Sequence, residues 1–220
     1  MPSTYVDSGA LSTFVDDSPG LDNLTNNAII VSMSHDRLDL ILAAAYECFT
    51  RHGVRRTTMD DIAATAGMSR PAVYQYVRNK DDAYRRLAER IFTSSIAEAR
   101  TAATDPGAST EQRLHAVLDA KLELTLRLHR ESRHAAELLD ASTKLSGDLV
   151  EAYTRELTDL VTGALADAAG PRARVVAEVL VALTRGLEAD LTDPDLPRQR
   201  LRDGVALIVA GLPIAPGDPS

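Results

Sequence analysis

Apolar side chains recur at steps of three and four residues through most of the chain from residue 36 onward. This spacing places them on one face of an α-helix. The first such stretch predicts a helix over residues 36–52, ended by His52-Gly53. Its apolar stripe consists of Leu38, Ile41, Leu42, Ala45 and Phe49. No segment shows the alternation of a convincing β-strand, so we predict an all-α fold.

The stretch that follows predicts a short second helix over residues 58–66. Thr58 and Asp61 have the spacing of a capping box, with Asp in place of the usual Glu. Gly67 then permits a tight turn.

A third short helix is predicted directly after that turn. Ser69 is a good N-cap, and Pro71 falls in the first helical turn, where no backbone N–H is missed. Val73 and Val77 are expected to face inward. The Pro is therefore explained by the start of a helix.

The rest of the chain continues as helices with Pro and Gly at the joints. They are predicted over residues 81–103, 110–129, 132–141, 146–169, 172–191 and 197–211. Residues 1–34 are rich in Ser, Thr, Asp and Asn, and we expect a mostly disordered arm there. Met33 leaves open that the chain is over-extended at its start. Residues 214–220 are expected to be a flexible tail.

Composition indicates a globular helical protein without internal disulfide bonds. Of 220 residues, 45% are apolar and 25% charged. The lone Cys48 excludes an internal disulfide, and we interpret it as a small buried apolar residue. No apolar run is long enough for a membrane span, and no signal peptide is recognisable. We therefore expect a cytoplasmic protein.

The net charge of −8 is unfavourable for a protein that contacts nucleic acid, but the charge is unevenly distributed. Residues 35–90 carry ten Lys and Arg against eight Asp and Glu, a balance of +2. Residues 1–34 carry −4 and residues 91–220 carry −6. An acidic body behind a mildly basic front is compatible with DNA contact through one face.

Three short helices, the last two joined by a Gly-containing turn, predict a helix-turn-helix whose last helix lies in the major groove. Arg70 can read guanine, the methyl of Ala72 can touch thymine, and Tyr74 and Tyr76 offer hydroxyls to phosphates. Helix N-termini favour phosphate as well. The predicted DNA-contacting residues are Thr58, Ser69, Arg70, Pro71, Ala72, Tyr74, Tyr76 and Lys80.

The segment TTMDDIAATAGMSRPAVYQYVRNKDDAYRRLAERI resembles the N-terminal domain of the TetR (tetracycline repressor) family of bacterial regulators. The shared pattern consists of Thr58, Ile62-Ala63, Ala66-Gly67, Ser69, Tyr74 and Asn79-Lys80, with Phe49 and Gly53 upstream. The resemblance covers about residues 36–91. Gln75 departs from the aromatic or His that is common in the family, and we expect it to be solvated or near the DNA backbone.

This resemblance implies a homodimer with a DNA-binding head at residues 35–81 and a regulatory and dimerisation body at residues 82–213. It implies that the last two helices pair with those of a second copy. The candidate dimer residues are Val175, Val176, Val179, Leu180, Leu183, Leu201, Val205, Leu207, Ile208 and Val209. The alternative is that these side chains are the core of a monomer.

The resemblance further implies a repressor that binds a palindromic operator and is released by a small-molecule ligand of unknown identity. The candidate ligand residues are Phe92, Ile96, Leu118, Leu122, Leu126, Leu138 and Tyr153. Packed core is an equally good interpretation of this set. An activator or a constitutive binder without ligand remains an alternative, and a helical enzyme is a remote one.

No catalytic, cofactor or metal motif accompanies these features, so we expect no enzymatic activity and no cofactor. His115, His129 and His134 have poor ligand spacing, and no Cys or paired carboxylate completes a set. We interpret these histidines as surface or pocket-edge residues.

Overall fold

A computed structural model describes the backbone of residues 21–191, 193 and 195–212 and, of these, the side chains from residue 36 on. These residues are helical with no strand, which confirms the predicted fold class. The helices are α1 Leu21–His52, α2 Met59–Thr65, α3 Arg70–Val73, α4 Lys80–Ala103, α5 Thr110–Glu131, α6 Ala135–Ala164, α7 Ala166–Ala169, α8 Ala173–Leu187 and α9 Leu196–Ala210. A 3-10 turn, Gly170–Arg172, joins α7 to α8.

Helix α1 begins at Leu21, well before the predicted start at residue 36. The arm predicted over residues 1–34 is therefore helical from Leu21 on, while residues 1–20 and the predicted tail lie outside the described residues. The chain divides into two compact units, Met1–Leu38 and Asp39–Ser220. All helices after α1 belong to the second unit.

The head helices are positioned by a small core and by their caps. Ile41, Ala45 and Phe49 of α1 are fully buried, as the apolar stripe predicts. The capping box at the start of α2 is confirmed: the Thr58 hydroxyl accepts the N–H of Asp61, and the Asp61 carboxylate accepts the N–H of Thr58. These bonds satisfy N–H groups that a helix start leaves unpaired.

The body packs around α5. Helix α4 lies against α5 and α6, α6 lies against α8, and α5 also contacts α9. The fully buried side chains along α5 are Leu114, Val117, Leu118, Leu122 and Leu126. Burial of a Leu or Val side chain contributes about 1.5–3 kcal/mol, so α5 is a main stabilising element of the body.

The two helices predicted over residues 132–141 and 146–169 are one kinked helix, α6, followed by α7. The kink lies at Ser146, whose φ of −142° and ψ of 26° are not helical. Arg85 of α4 donates to the carbonyl of Leu145 (3.3 Å) and to both carboxylate oxygens of Asp148 (2.6 and 2.5 Å). A side chain that donates a hydrogen bond to a backbone carbonyl in this way allows a helix to bend without ending.

Arg85 also affects the carboxylate that it contacts. Its hydrogen bonds lower the pKa of Asp148 to about 2. Asp148 is therefore ionised at neutral pH, and the contact between α4 and the kink of α6 is a charged, bidentate one.

No helix among the described residues is long and apolar enough to cross a membrane.

Candidate nucleic-acid interface and regulatory cavity

The turn before α3 and its first residues form the predicted DNA-contacting surface. Gly67 adopts a left-handed φ of 64°, which lets the chain reverse between α2 and α3. The Ser69 hydroxyl accepts the N–H of Ala72 (3.4 Å) and caps α3. Val73 and Val77 are buried, as predicted, so the other face of this segment is left toward solvent.

Arg70 lies on that face but has partners within the chain. Its guanidinium donates to both oxygens of Asp60 (3.2 and 3.0 Å) and to the Tyr74 hydroxyl (3.3 Å), and it lies 5.5 Å from the centre of the Tyr74 ring. The hydrogen bond to Tyr74 and the charge of Asp60 raise the pKa of Arg70. A DNA base that Arg70 reads must therefore replace the exposed Asp60 carboxylate.

Thr58 and Lys80, two further predicted phosphate contacts, also bond within the chain. The Thr58 hydroxyl donates to the Asp61 carboxylate (2.7 Å), and this bond lowers the pKa of Asp61. The Lys80 ammonium donates to the carbonyl of Arg55 (3.2 Å) and so ties the turn after α1 to the start of α4. Both side chains therefore hold the head together whether or not they touch DNA.

The structure adds two cations that the sequence analysis did not select. Arg55 and Arg56 are exposed in the turn before α2, and neither side chain forms a salt bridge with any residue that the structure describes. The pair of adjacent arginines directly before Thr57 is the sequence feature that could have indicated them. Arginines without a salt bridge are better suited to phosphate contacts than side chains that already cap a helix.

A cavity of about 280 Å³ lies in the body and reaches the head. This volume is at the lower end of the range for small-molecule sites. Of the predicted ligand residues, Phe92, Leu138 and Tyr153 line it. The apolar part of its wall consists of Phe49, Leu87, Ala88, Ile91, Phe92, Leu124, Leu128, Leu138, Leu139 and Val150.

The remaining predicted ligand residues lie elsewhere. Ile96 lines a second pocket between α4 and α6. Leu118, Leu122 and Leu126 are fully buried in the body core and do not line either pocket. They fall on the side of α5 that faces the other body helices.

The head supplies part of the cavity wall. Tyr46 and Phe49 of α1 line it together with Tyr84 of α4. The rings of Phe49 and Tyr84 lie 5.5 Å apart, and the Tyr84 hydroxyl donates to the carbonyl of Leu138 in α6 (2.6 Å). Burial raises the pKa of Tyr84 to about 12, so it remains a donor at neutral pH.

The turn between α5 and α6 and the first turn of α6 also bond to the head. The Ser132 hydroxyl donates to the carbonyl of Thr50 (2.7 Å), and the backbone N–H of Arg55 donates to the Glu137 carboxylate (2.7 Å). Gly53 has a left-handed φ of 80°, and a Cβ there would lie 2.5 Å from a Glu137 oxygen. The body therefore contacts the head along a route separate from α4.

The end of the cavity at α8 is charged. The Lys121 ammonium donates to the Glu188 carboxylate (2.5 Å), and the two side chains are only 11% and 16% exposed. Arg185, one turn earlier on α8, lines the same cavity. Nearby, the hydroxyls of Tyr153 and Ser95 share a hydrogen bond of 3.0 Å.

The predicted dimer residues separate into two groups. Val176, Leu180, Leu201 and Val205 are buried within the single chain and pack in the body core. Val175, Val179 and Leu207 are 61%, 52% and 76% exposed. The helical period of α8 and α9 divides each helix into a core face and an outer apolar face.

The match to a known protein family lies in the head. Residues 41–87 match the family described as "Bacterial regulatory proteins, tetR family". The chain is 33% identical over 109 residues to the uncharacterised HTH-type transcriptional regulator YhgD of Bacillus subtilis, and this match covers 46% of the chain and 55% of YhgD. The chain thus matches only about half the length of this curated relative.

Two further similarities extend into the body. The chain is 29% identical over 159 residues to the HTH-type transcriptional activator FasR of Mycolicibacterium smegmatis, covering 68% of the chain and 69% of FasR. The solved SmeT–triclosan complex is 26% identical, covers 83% of the chain and 93% of SmeT, and has a TM-score of 0.62. SmeT is the repressor of the multidrug efflux pump SmeDEF of Stenotrophomonas maltophilia.

Proposed function

The chain belongs to the TetR family of DNA-binding transcriptional regulators, and we propose that it is a homodimeric repressor that a small-molecule ligand releases from a palindromic operator. In this proposal the protein works in the cytoplasm, and the head at residues 35–81 binds DNA. The body binds both the ligand and the second copy.

The exposed face at the start of α3 supports the DNA-reading part of this proposal. Arg70 and Tyr74 lie on that face, and Ala72 leaves room for a close approach of the backbone to DNA. Arg70 reads a base after exchanging the Asp60 carboxylate for base acceptors. Arg55 and Arg56 contact phosphates and set the position of the head on the duplex.

Ligand-dependent release rests on one observation above all, that a single cavity is walled by both head and body. Tyr46 and Phe49 come from the head, and Leu138 and Tyr153 come from the body. A ligand that occupies this space contacts α1 directly and changes the packing of Phe49 against Tyr84 of α4. If it binds one head position better than the other, it shifts the population toward that position.

The coupling free energy that this proposal requires between the ligand site and the DNA site is modest. An affinity change for DNA of about 5- to 150-fold corresponds to about 1–3 kcal/mol of coupling between the two sites. Repacking of one aromatic pair and loss of one or two hydrogen bonds at the head–body contact supplies energy of this order. The contacts available are Phe49 with Tyr84, Thr50 with Ser132, and Arg55 with Glu137.

The outer face of α8 and α9 supports the homodimer. Val175, Val179 and Leu207 expose apolar surface on neighbouring helices of the body. A second copy covers such a patch by two-fold symmetry, which brings two heads onto two half-sites of a palindrome. Leu183 and Ile208 border the patch as half-buried residues.

A ligand-responsive activator is the second candidate, because FasR is named a transcriptional activator. The two candidates share the head, the dimer and the cavity. They differ in the effect on transcription: run-off transcription from the target promoter with purified polymerase falls on addition of a repressor and rises on addition of an activator.

Variants of three head residues test the assigned contacts. We expect Arg70→Ala to lose most of the preference for operator over scrambled DNA, because it removes a base contact. We expect Lys80→Ala to weaken binding to both duplexes and to reduce the slope of log affinity against log salt by about one. Leu40→Ala, at an exposed position of α1 outside the predicted DNA-contacting set, is the control and should change neither.

Fluorescence anisotropy across a salt series measures both quantities. If Arg70→Ala weakens binding to operator and scrambled DNA equally, Arg70 contacts phosphate and does not read a base.

A further inference from the structure

The charged end of the cavity has one more cation than it has carboxylates. Lys121 is paired with Glu188. Arg185 lines the cavity beside them and forms no salt bridge with any described residue. The other cationic side chain of the wall, Arg127, lies 3.8 Å from the carboxylate of Glu131. The excess charge of the wall is therefore a single positive charge at the Lys121–Arg185 end.

A partly enclosed charge is costly unless an opposite charge approaches it. Lys121 and Glu188 are each less than one-fifth exposed, whereas Arg185 is exposed, so the excess positive charge lies on a solvated guanidinium beside an enclosed ion pair. A ligand with one negative charge brings this end to neutrality, and a cationic ligand increases the imbalance. The charge of the wall thus selects for a monoanion.

The remainder of the cavity favours a ligand whose other part is apolar. From Lys121 the wall continues along α5 through Leu124 to Leu128. The seven steps from Lys121 to Leu128 correspond to about 10 Å of helix. Ile91 and Phe49 face the same space from α4 and α1. The polar end lies at α8, and the apolar end lies at the head.

We propose that the cavity binds an amphipathic monoanion, with its carboxylate between Lys121 and Arg185 and its apolar part extending toward Phe49 and Leu138. This inference rests on the proposed function, because it gives the chemical class of the ligand that releases the DNA. The apolar part is the portion of the ligand that reaches the head. A longer or bulkier apolar part therefore displaces α1 more than a short one does.

Isothermal titration with three probes of equal chain length tests the ligand class on the full-length protein. We expect decanoate to bind at least about tenfold more tightly than decan-1-ol, since a hydrogen bond to a charged group exceeds a neutral one by this order. We expect decyltrimethylammonium to bind more weakly than the alcohol. Equal affinities for decanoate and decan-1-ol would overturn the proposal.

Two variants of opposite sign separate a charge effect from a loss of structure. Arg185→Gln should weaken decanoate about three- to fivefold, as expected for a partly screened ion pair, and leave decan-1-ol unchanged. Glu188→Gln should tighten decanoate about tenfold, because it removes a carboxylate that competes for Lys121. Arg172→Gln, an exposed arginine outside the cavity, is the control for Arg185.

A shift of Arg185→Gln and Glu188→Gln in the same direction contradicts the charge argument. Arg185 is an exposed residue, so its variant is expected to fold even if Glu188→Gln does not.

Anisotropy with operator DNA distinguishes failure of this inference from failure of the proposed function. Release of DNA by decanoate supports both. Tight decanoate binding without release supports the ligand class and overturns ligand-relieved repression. Intact operator binding with no preference for decanoate overturns the ligand class alone.

Discussion

The ion pair of Lys121 and Glu188 gives a sharp test of how enclosed the charged end of the cavity is. The perturbation is a double-mutant cycle of Lys121→Met, Glu188→Leu and the two changes together. Each single change leaves one charge without its partner inside the body. The double change replaces both charges with apolar groups of similar volume.

The expected magnitude follows from the exposure of the pair. Breaking one partner of a buried pair costs about 3–5 kcal/mol, and an exposed pair contributes at most about 1 kcal/mol. The side chains are 11% and 16% exposed and share a 2.5 Å contact, which places the pair near the buried case. We expect each single change to lose about 3 kcal/mol, or about 6–12 °C in Tm for a chain of this size. We expect the double change to lose less than about 1 kcal/mol.

Urea unfolding followed by circular dichroism at 222 nm measures these losses, with protein concentration held fixed because the stability of the proposed dimer depends on it. A large coupling energy between the two sites supports an enclosed pair. If each single change lost under about 1 kcal/mol and the losses added in the double variant, the pair would behave as solvated surface charge. The charge argument for an anionic ligand would then lose its basis.

Three further results are expected. Burial raises the pKa of Tyr84 to about 12, so the stability that it contributes is complete below pH 10 and is lost as pH rises to 12. A Tyr84→Phe variant should lack this part of the alkaline transition in a pH-jump unfolding series, and an unchanged transition would contradict the assignment. Gly53→Ala should lose more stability than Gly67→Ala, since both positions have positive φ but only the first also displaces Glu137. Equal losses in urea unfolding would show that the Glu137 contact is not stabilising. Val179→Asp should shift the sedimentation coefficient from dimer to monomer because it places a charge on the outer face of α8, and an unchanged coefficient would move the interface elsewhere.

The head could be predicted from sequence because its signals are local. A capping Thr58 with Asp61, a turn at Gly67 and a capping Ser69 with Pro71 each act within four residues of chain. Contacts with distant parts of the chain seldom change a helix start that is fixed by such short-range signals. The prediction of the helix-turn-helix and of its buried valines is therefore confirmed in the structure.

The body was predicted only in outline, because its decisive contacts join residues far apart in sequence. Arg85 donates hydrogen bonds to Leu145 and Asp148 at the bend of α6. From the hydrophobic periodicity alone, this bend was predicted as a break between two helices. The head–body bond from Arg55 to Glu137 likewise joins distant positions. Neither contact leaves a pattern in the local sequence.

The apolar residues show a related limit. Leu118 and Phe92 both fit a helical stripe, yet one lies in the core and the other lines the cavity. The same ambiguity separates Leu180 from Val179 on α8. A hydrophobic period indicates which face of a helix is apolar, and the packing of neighbouring helices decides what covers that face.

The central claim is that this chain binds operator DNA as a dimer through its head. The most direct test is fluorescence anisotropy of the purified protein against the DNA upstream of its own coding sequence and a scrambled duplex, across a salt series. We expect tighter binding to the upstream DNA, two subunits per site and a steep loss of affinity with salt. Absence of binding to either duplex at low salt, with ligand-free protein confirmed by mass spectrometry, would contradict the account.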